Sequence, residues 1–186
     1  METFPACGRF EPIHNKTVTR LSNRPPMMFF LMPMAYKQPG NRGRDMHIDD
    51  TLRHILTTTR RIALVGASDK PNRPSFGVMR FLLAQGFEVT PVNPTLAGQS
   101  ILGRIVVATL ANAAPLDMVE IFRNSEAAEA PMLEAIRLGA KTLWLQLGVV
   151  NEPAAAIARA AGLQVVMNRC PAIEMPRLGL SPKTSH

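Results

Sequence analysis

"RIALVGASDKPNRPSFGVMRFLLAQGFEVTPVNP", residues 61–94, decides the fold. Ile62 to Val65 form a short apolar run that ends at Gly66, the pattern of a strand buried on both faces. A loop of polar residues and prolines follows. From Ser75 the period lengthens, placing Val78, Phe81 and Leu82 on one helical face before Gly86 stops the helix. "FEVTPVNP" then reads as a second strand closed by a turn at Asn93-Pro94. Strand, loop, helix and strand in this order form one βαβ unit.

The pattern extends in both directions. Upstream, "IDDTLRHILTT" puts Ile48, Leu52, Ile55 and Leu56 at helical spacing, with Asp49 and Asp50 in the first turn where the helix dipole favours acids. Downstream, "RIVVATLANA" reads as a shorter third strand with a brief helical piece and "LDMVEIF" as a fourth strand. "SEAAEAPMLEAIRLG" reads as a helix, "TLWLQL" as a fifth strand, "NEPAAAIARAAG" as a helix and "LQVVMN" as a sixth strand. Near-continuous apolar strands separated by helices predict an α/β fold: a Rossmann-like, doubly wound, mostly parallel sheet of five to six strands with helices on both faces.

A chain of 186 residues with 46% apolar and 19% charged residues has the composition of a globular domain. Its net charge of +7 is uneven, since residues 1–45 carry seven Lys/Arg against three Asp/Glu. The remainder lacks the concentrated basic stripe of a nucleic-acid binder. Residues 1–45 also hold six of the sixteen prolines and show no period, so they read as a disordered arm or an extension ahead of a start at Met46. The domain is then expected over 46–180, with 181–186 as a tail. "MMFFLMPMAY", residues 27–36, is too short to span a bilayer and is broken by Pro33. Cys7 and Cys170 stand far apart, outside any zinc or disulfide pattern. No metal site, no membrane contact and a reducing, cytoplasmic setting are expected.

In a doubly wound sheet the ligand lies at the carboxyl ends of the strands. After the first strand come Gly66, Ala67, Ser68, Lys70, Arg73 and Ser75; after the second, Asn93 and Pro94; after "LDMVEIF", Arg123, Asn124 and Ser125; after "TLWLQL", Gln146 and Gly148. Gly66 permits a tight turn, hydroxyls and backbone N–H groups donate to phosphate oxygens, and the helix start near Ser75 adds a positive end. Lys70 and Arg73 add cations. This is a phosphate loop in chemical terms. It lacks the later glycines of G-x-G-x-x-G, and no acid closes the second strand to hold a ribose diol, which disfavours NAD. The G-x-x-x-x-G-K-[ST] loop of nucleotide hydrolases is absent as well.

Taken with "RPS", "PVNP", "VEIFR", "WLQLGVVNE" and "VMNRCP" in that order, residues 48–175 resemble the stand-alone CoA-binding proteins. These are relatives of the CoA-binding amino-terminal domain of the succinyl-CoA synthetase α subunit. The resemblance implies that coenzyme A or an acyl-CoA is the ligand. It implies phosphates on Gly66, Ala67, Ser68, Arg73 and Ser75, and the nucleotide bordered by Asn93 and Pro94. Phe122 and Arg123 would line the adenine and phosphate side, and Leu145 and Gln146 the pantetheine side. Coenzyme A adds a 3'-phosphate to a pyrophosphate, which suits a loop with two cations and no diol-binding acid.

Family members tend to carry Asp before "RCP" where this chain has Asn168. Cys170 reads first as a small buried residue. The alternative is a thiol activated by Arg169 that exchanges with the CoA sulfur as a redox switch. Trp144 and Phe122 read as core aromatics. Asp117, Glu120, Glu126 and Glu129 read as solvated or dipole-complementing charges. His14, His47, His54 and His186 lie away from the strand ends, so no general base is placed at the ligand. The sequence therefore predicts a CoA-binding module without catalytic residues of its own, with a protein partner or a second copy of the chain as further candidates for binding. The alternatives are an NAD(P)-dependent oxidoreductase-type domain or the CoA-binding subunit of an acyl-CoA synthetase.

Overall fold

A computed structural model describes residues 48–183, all within a compact unit that runs from 44 to 186. The arm expected over 1–45, and with it Cys7, His14 and His47, lies outside the described residues, as does His186. Helix α1 (Ile48–Thr58) begins with its two acids and buries Leu52, Ile55 and Leu56, while Ile48 at its end stays 46% exposed. Strand β1 (Arg61–Val65) leads through the loop into α2 (Pro74–Ala84). Arg73 is extended, as a residue before proline prefers, and Pro74 starts the helix where its missing N–H costs nothing. Strand β2 (Glu88–Val92) follows.

The stretch read as a third strand of the sheet departs from that reading. Leu102 (φ 50°) and Gly103 (φ 76°) form a reversing turn, and β4 (Arg104–Ile105) folds back antiparallel on β3 (Ser100–Ile101). Val107 only bridges to Val92 at the sheet edge. The turn overrides the β-forming composition because a parallel strand needs a crossover that the few residues after β2 do not supply.

The chain then continues through β5 (Met118–Ile121), α3 (Glu129–Arg137), β6 (Thr142–Leu145), α4 (Glu152–Ala160), β7 (Gln164–Val166) and α5 (Pro171–Arg177). The main sheet has five parallel strands in the order β2-β1-β5-β6-β7. Alternate residues serve two cores. Ile62, Leu64, Met118, Trp144 and Val166 pack beneath α1, α2 and α5. Ala63, Val119, Ile121, Leu143 and Leu145 pack beneath α3 and α4, where Ala135, Ala154, Ala155 and Ala158 let the helices come close. Each fully buried Leu or Ile contributes about 1.5–3 kcal/mol.

The strand order reverses between β1 and β5. From β1 the chain goes out to β2 on one side, then returns to lay β5 on the other. Crossovers on opposite sides open a crevice at the carboxyl ends of these two strands, the topological switch point.

Candidate functional site

Gly66 lies at the switch point. Its N–H donates to the Val92 carbonyl (3.0 Å), while on the other side the Phe122 N–H donates to the Val65 carbonyl (2.9 Å). The two strands flanking β1 are thereby closed against the start of the loop. Gly66 has φ 84°, and a Cβ there would run into the Phe122 carbonyl. Both conformation and space require glycine here.

Past Gly66 the loop is braced from β2. Asn93 donates through Nδ2 to the Ala67 carbonyl (2.8 Å), and its Oδ1 accepts from the Thr95 N–H (3.0 Å) and hydroxyl (2.8 Å). These bonds also cap the short 3-10 turn Pro94–Leu96. The Ser68 hydroxyl accepts the Lys70 N–H (3.2 Å), closing a small turn. Ser75 is buried in the first turn of α2.

These elements enclose a cleft of about 760 Å³. Its walls include Gly66, Ala67, Ser68, Arg73, Ser75 and Asn93 from the first two strand ends. Phe122, Arg123 and Asn124 line it after β5, Gln146, Leu147 and Val149 after β6, and Cys170 before α5. A smaller apolar cavity of about 290 Å³ adjoins it, sharing Gly66, Asn93 and Arg123 and adding Pro94 and Leu110. Among the described residues no carboxylate lines the larger cleft. Among the described residues no carboxylate pairs with Arg73 or Arg123. Two guanidinium groups and the N-terminus of α2 therefore favour an anion with several oxygens.

Lys70, also expected at the phosphates, is exposed on the loop and is not part of the cleft wall. Leu145, expected on the pantetheine side, needs correction: it is 0% exposed and packs under α3 and α4. Strand alternation turns it to that core. Asn124 and Ser125 serve the backbone. The Asn124 Oδ1 accepts from Ala127 N–H (2.8 Å), and the Ser125 hydroxyl accepts from Val150 N–H (3.0 Å).

Beyond β7, Asn168 has φ 54° and its Oδ1 accepts the Gly148 N–H (2.8 Å). Asparagine tolerates that left-handed conformation, and its amide does this work without charge. Trp144 is fully buried and donates its indole N–H to the Arg169 carbonyl (2.8 Å), as a core aromatic. Arg169 sends its guanidinium to Glu174 (2.8 Å), which also binds Arg177. Arg177 continues to Asp49 of α1 (2.7 Å). Burial of Glu174 opposes its ionisation, but the bonds from both arginines outweigh this and hold the carboxyl below its ordinary range. The Cys170 thiol is 7% exposed at the entry to α5.

Two acids read as solvated are buried. Asp117 is 6% exposed. It accepts from the Arg60 and Arg61 N–H groups (3.2 and 3.0 Å) and pairs with Lys141 (2.9 Å) at the opposite end of the sheet. Desolvation raises its pKa, yet the Lys141 and arginine bonds win and hold the carboxyl well below the usual range. Glu120, in the middle of β5, is 0% exposed, and burial pushes its pKa up to about 8 against a bond from Gln146 that lowers it. The available signal was their place within and just before a short apolar strand, because a strand at the centre of a doubly wound sheet has no solvated face. Among the described residues no group of three or more His, Cys, Asp or Glu is arranged for a metal ion, and no helix is long and apolar enough to cross a membrane.

A family model described as a CoA binding domain matches residues 60–176. YneT, an uncharacterised protein of Bacillus subtilis (strain 168), is 37% identical over 120 residues, 64% of this chain and 87% of that protein. A solved hypothetical protein from Pyrococcus horikoshii OT3 superimposes with a TM-score of 0.67 at 37% identity, covering 75% of this chain and 97% of the other. A Thermus thermophilus protein gives a TM-score of 0.67 at 35% identity, covering 70% and 98%. Each match spans nearly the whole of the related protein.

Proposed function

The chain belongs to the CoA-binding domain family, and from that premise we propose that it binds coenzyme A or an acyl-CoA in the switch-point cleft. The observation that carries this reading is the pair of arginines, Arg73 and Arg123, in a cleft wall that holds no carboxylate among the described residues. The pyrophosphate lies over Gly66, Ala67 and Ser68 at the start of α2, with Ser75 and Arg73 as further donors. The nucleotide is bordered by Asn93, Pro94, Phe122 and Arg123. The pantetheine arm runs past Gln146, Leu147 and Val149 toward Cys170. The Asn93 amide is spent on the loop and the turn, so β2 ends without an acceptor for an NAD ribose diol.

Binding rather than catalysis is the role we assign. Among the described residues the cleft offers no acid or histidine as a general base, and the chain holds, senses or delivers the ligand in the cytoplasm. We place the binding domain over residues 46–180. Titration calorimetry with CoA, dephospho-CoA, NAD and NADP tests this. The expected order is CoA tightest, dephospho-CoA weaker through loss of the 3'-phosphate, and no heat from NAD. Binding of NAD without CoA would overturn the reading in favour of a dinucleotide domain.

A further inference from the structure

Glu120 stands beneath the cleft, in register with Leu64 of β1 and Trp144 of β6, on the face covered by α1, α2 and α5. Its Oε1 accepts the Gln146 Nε2 N–H at 2.6 Å. Its Oε2 is buried with no partner among the described residues. An ionised carboxylate with half its acceptors empty is unfavourable in such surroundings, so the neutral acid is the form that suits this core. Gln146 is 7% exposed and forms part of the cleft wall. Its Oε1 accepts the Leu147 N–H (3.3 Å), which leaves one amide N–H and one lone pair for a ligand.

Resting on the coenzyme A reading above, we propose that protonated Glu120 is a positioning residue that holds the Gln146 amide for the amide-bearing pantetheine arm, so that ligand occupancy is coupled to this buried proton. A negative charge on Glu120 would sit in a poorly screened core behind a cleft that receives a polyanion. It would also compete for the remaining Gln146 N–H. Linkage is reciprocal: an anionic ligand makes Glu120 hold its proton more tightly, and binding takes up a proton where the free protein has begun to lose it.

Other ionisable groups on the covering elements are Asp49, Asp50, Arg53 and His54 of α1, Arg80 of α2, and Glu174 and Arg177 of α5. Arg73 precedes α2, and Arg169 and Cys170 precede α5. Asp49, Glu174, Arg169 and Arg177 are joined in their own ion-pair chain. Burial, opposed by the Gln146 bond and without a contribution from these groups, accounts for the raised proton affinity of Glu120.

The test is calorimetric titration of the full chain with CoA from pH 6 to 9, for wild type and Glu120→Gln, with proton uptake measured at pH 8 in two buffers of different ionisation heat. Wild-type affinity is expected to fall about fivefold or more between pH 7 and 9, with uptake of a fraction of a proton. The variant shares the ligand's own titrations, lacks this additional fall and takes up no such proton. Trp144, beside Glu120 in the sheet, is expected to change emission along the same pH curve in free wild type only. Identical pH profiles in the two proteins overturn the inference. Should the variant not fold, wild type alone decides, since CoA binding without proton uptake overturns it. Binding with a flat profile rejects this coupling alone, whereas absence of CoA binding at every pH rejects the coenzyme A reading and this inference with it.

Discussion

Arg73 stands at the entry to α2 in the cleft wall, with no carboxylate paired to it among the described residues. A charge-assisted bond from arginine to phosphate contributes about 1.5–3 kcal/mol, so Arg73→Ala is expected to weaken CoA binding by a factor of about ten or more. Its melting temperature should stay near that of wild type, because the side chain is exposed and pairs with no carboxylate among the described residues. Calorimetry and a thermal melt of the same sample check both. Gly66→Ala has the opposite signature. With φ 84° and the Phe122 carbonyl where the methyl must go, the variant is expected to lose about 2 kcal/mol or more in urea unfolding and to lose binding with it.

Glu120 gives a stability prediction apart from any ligand. Its folded pKa is raised to about 8, so the unfolded chain releases this proton first as pH rises. The contribution of Glu120 is therefore unimpaired below the ordinary carboxyl range and is lost progressively up to about pH 8, by at most about 1.4 kcal/mol per pH unit. The melting temperature of Glu120→Gln relative to wild type should rise between pH 5 and 8. A constant difference across that range would contradict the buried, neutral acid.

At the scale of elements, Asp117 ties the start of β1 to β5 and reaches Lys141 before β6. The backbone bonds are the durable part, because Lys141 and Arg61 are 74% and 43% exposed and solvent screens their charges. Asp117→Asn is expected to cost about 1–3 kcal/mol at pH 7 by chemical denaturation. The sign with pH is the reverse of that for Glu120. The folded pKa of Asp117 lies below its ordinary value, so its contribution is complete above about pH 4 and fades as pH falls further. The gap between wild type and Asp117→Asn should narrow in acid.

The elements that the sequence displayed clearly were those with an unbroken period and a chemical stop. The acids of α1, Pro74 and Gly86 around α2, and Asn151 capping α4 mark their helices in the chain itself. Helix α5 escaped such reading because it is seven residues long and contains Pro176, so it has neither length nor regular period. Residues 104–105 resembled a sheet strand in composition, but the turn at Leu102-Gly103 sets their partner. Leu145 was adjacent to the site in sequence and opposite to it in space, since one step along a strand reverses the side chain. Glu120 was visible as an acid in an apolar strand, while its bond to Gln146 spans 26 positions and depends on strand order.

For the whole molecule, the reversal between β1 and β5 brings the strand-end residues into one cleft. That convergence follows from alternating strands and helices, and is why Gly66, Arg73, Ser75, Arg123 and Gln146 could be read together before any distance was known. A ligand confined to the folded state stabilises it by mass action, so CoA at about a hundred times its dissociation constant should add about 2.7 kcal/mol and raise the melting temperature. Binding of CoA in the switch-point cleft is tested most directly by amide chemical-shift mapping of the isotope-labelled full chain on addition of CoA. The largest changes are expected at Gly66, Ala67, Ser68 and Ser75, with a second group around Gln146 and Gly148. Changes centred instead on His54, Lys141 and Gly162, which line a polar hollow at the opposite end of the sheet, or no changes at all, would contradict it.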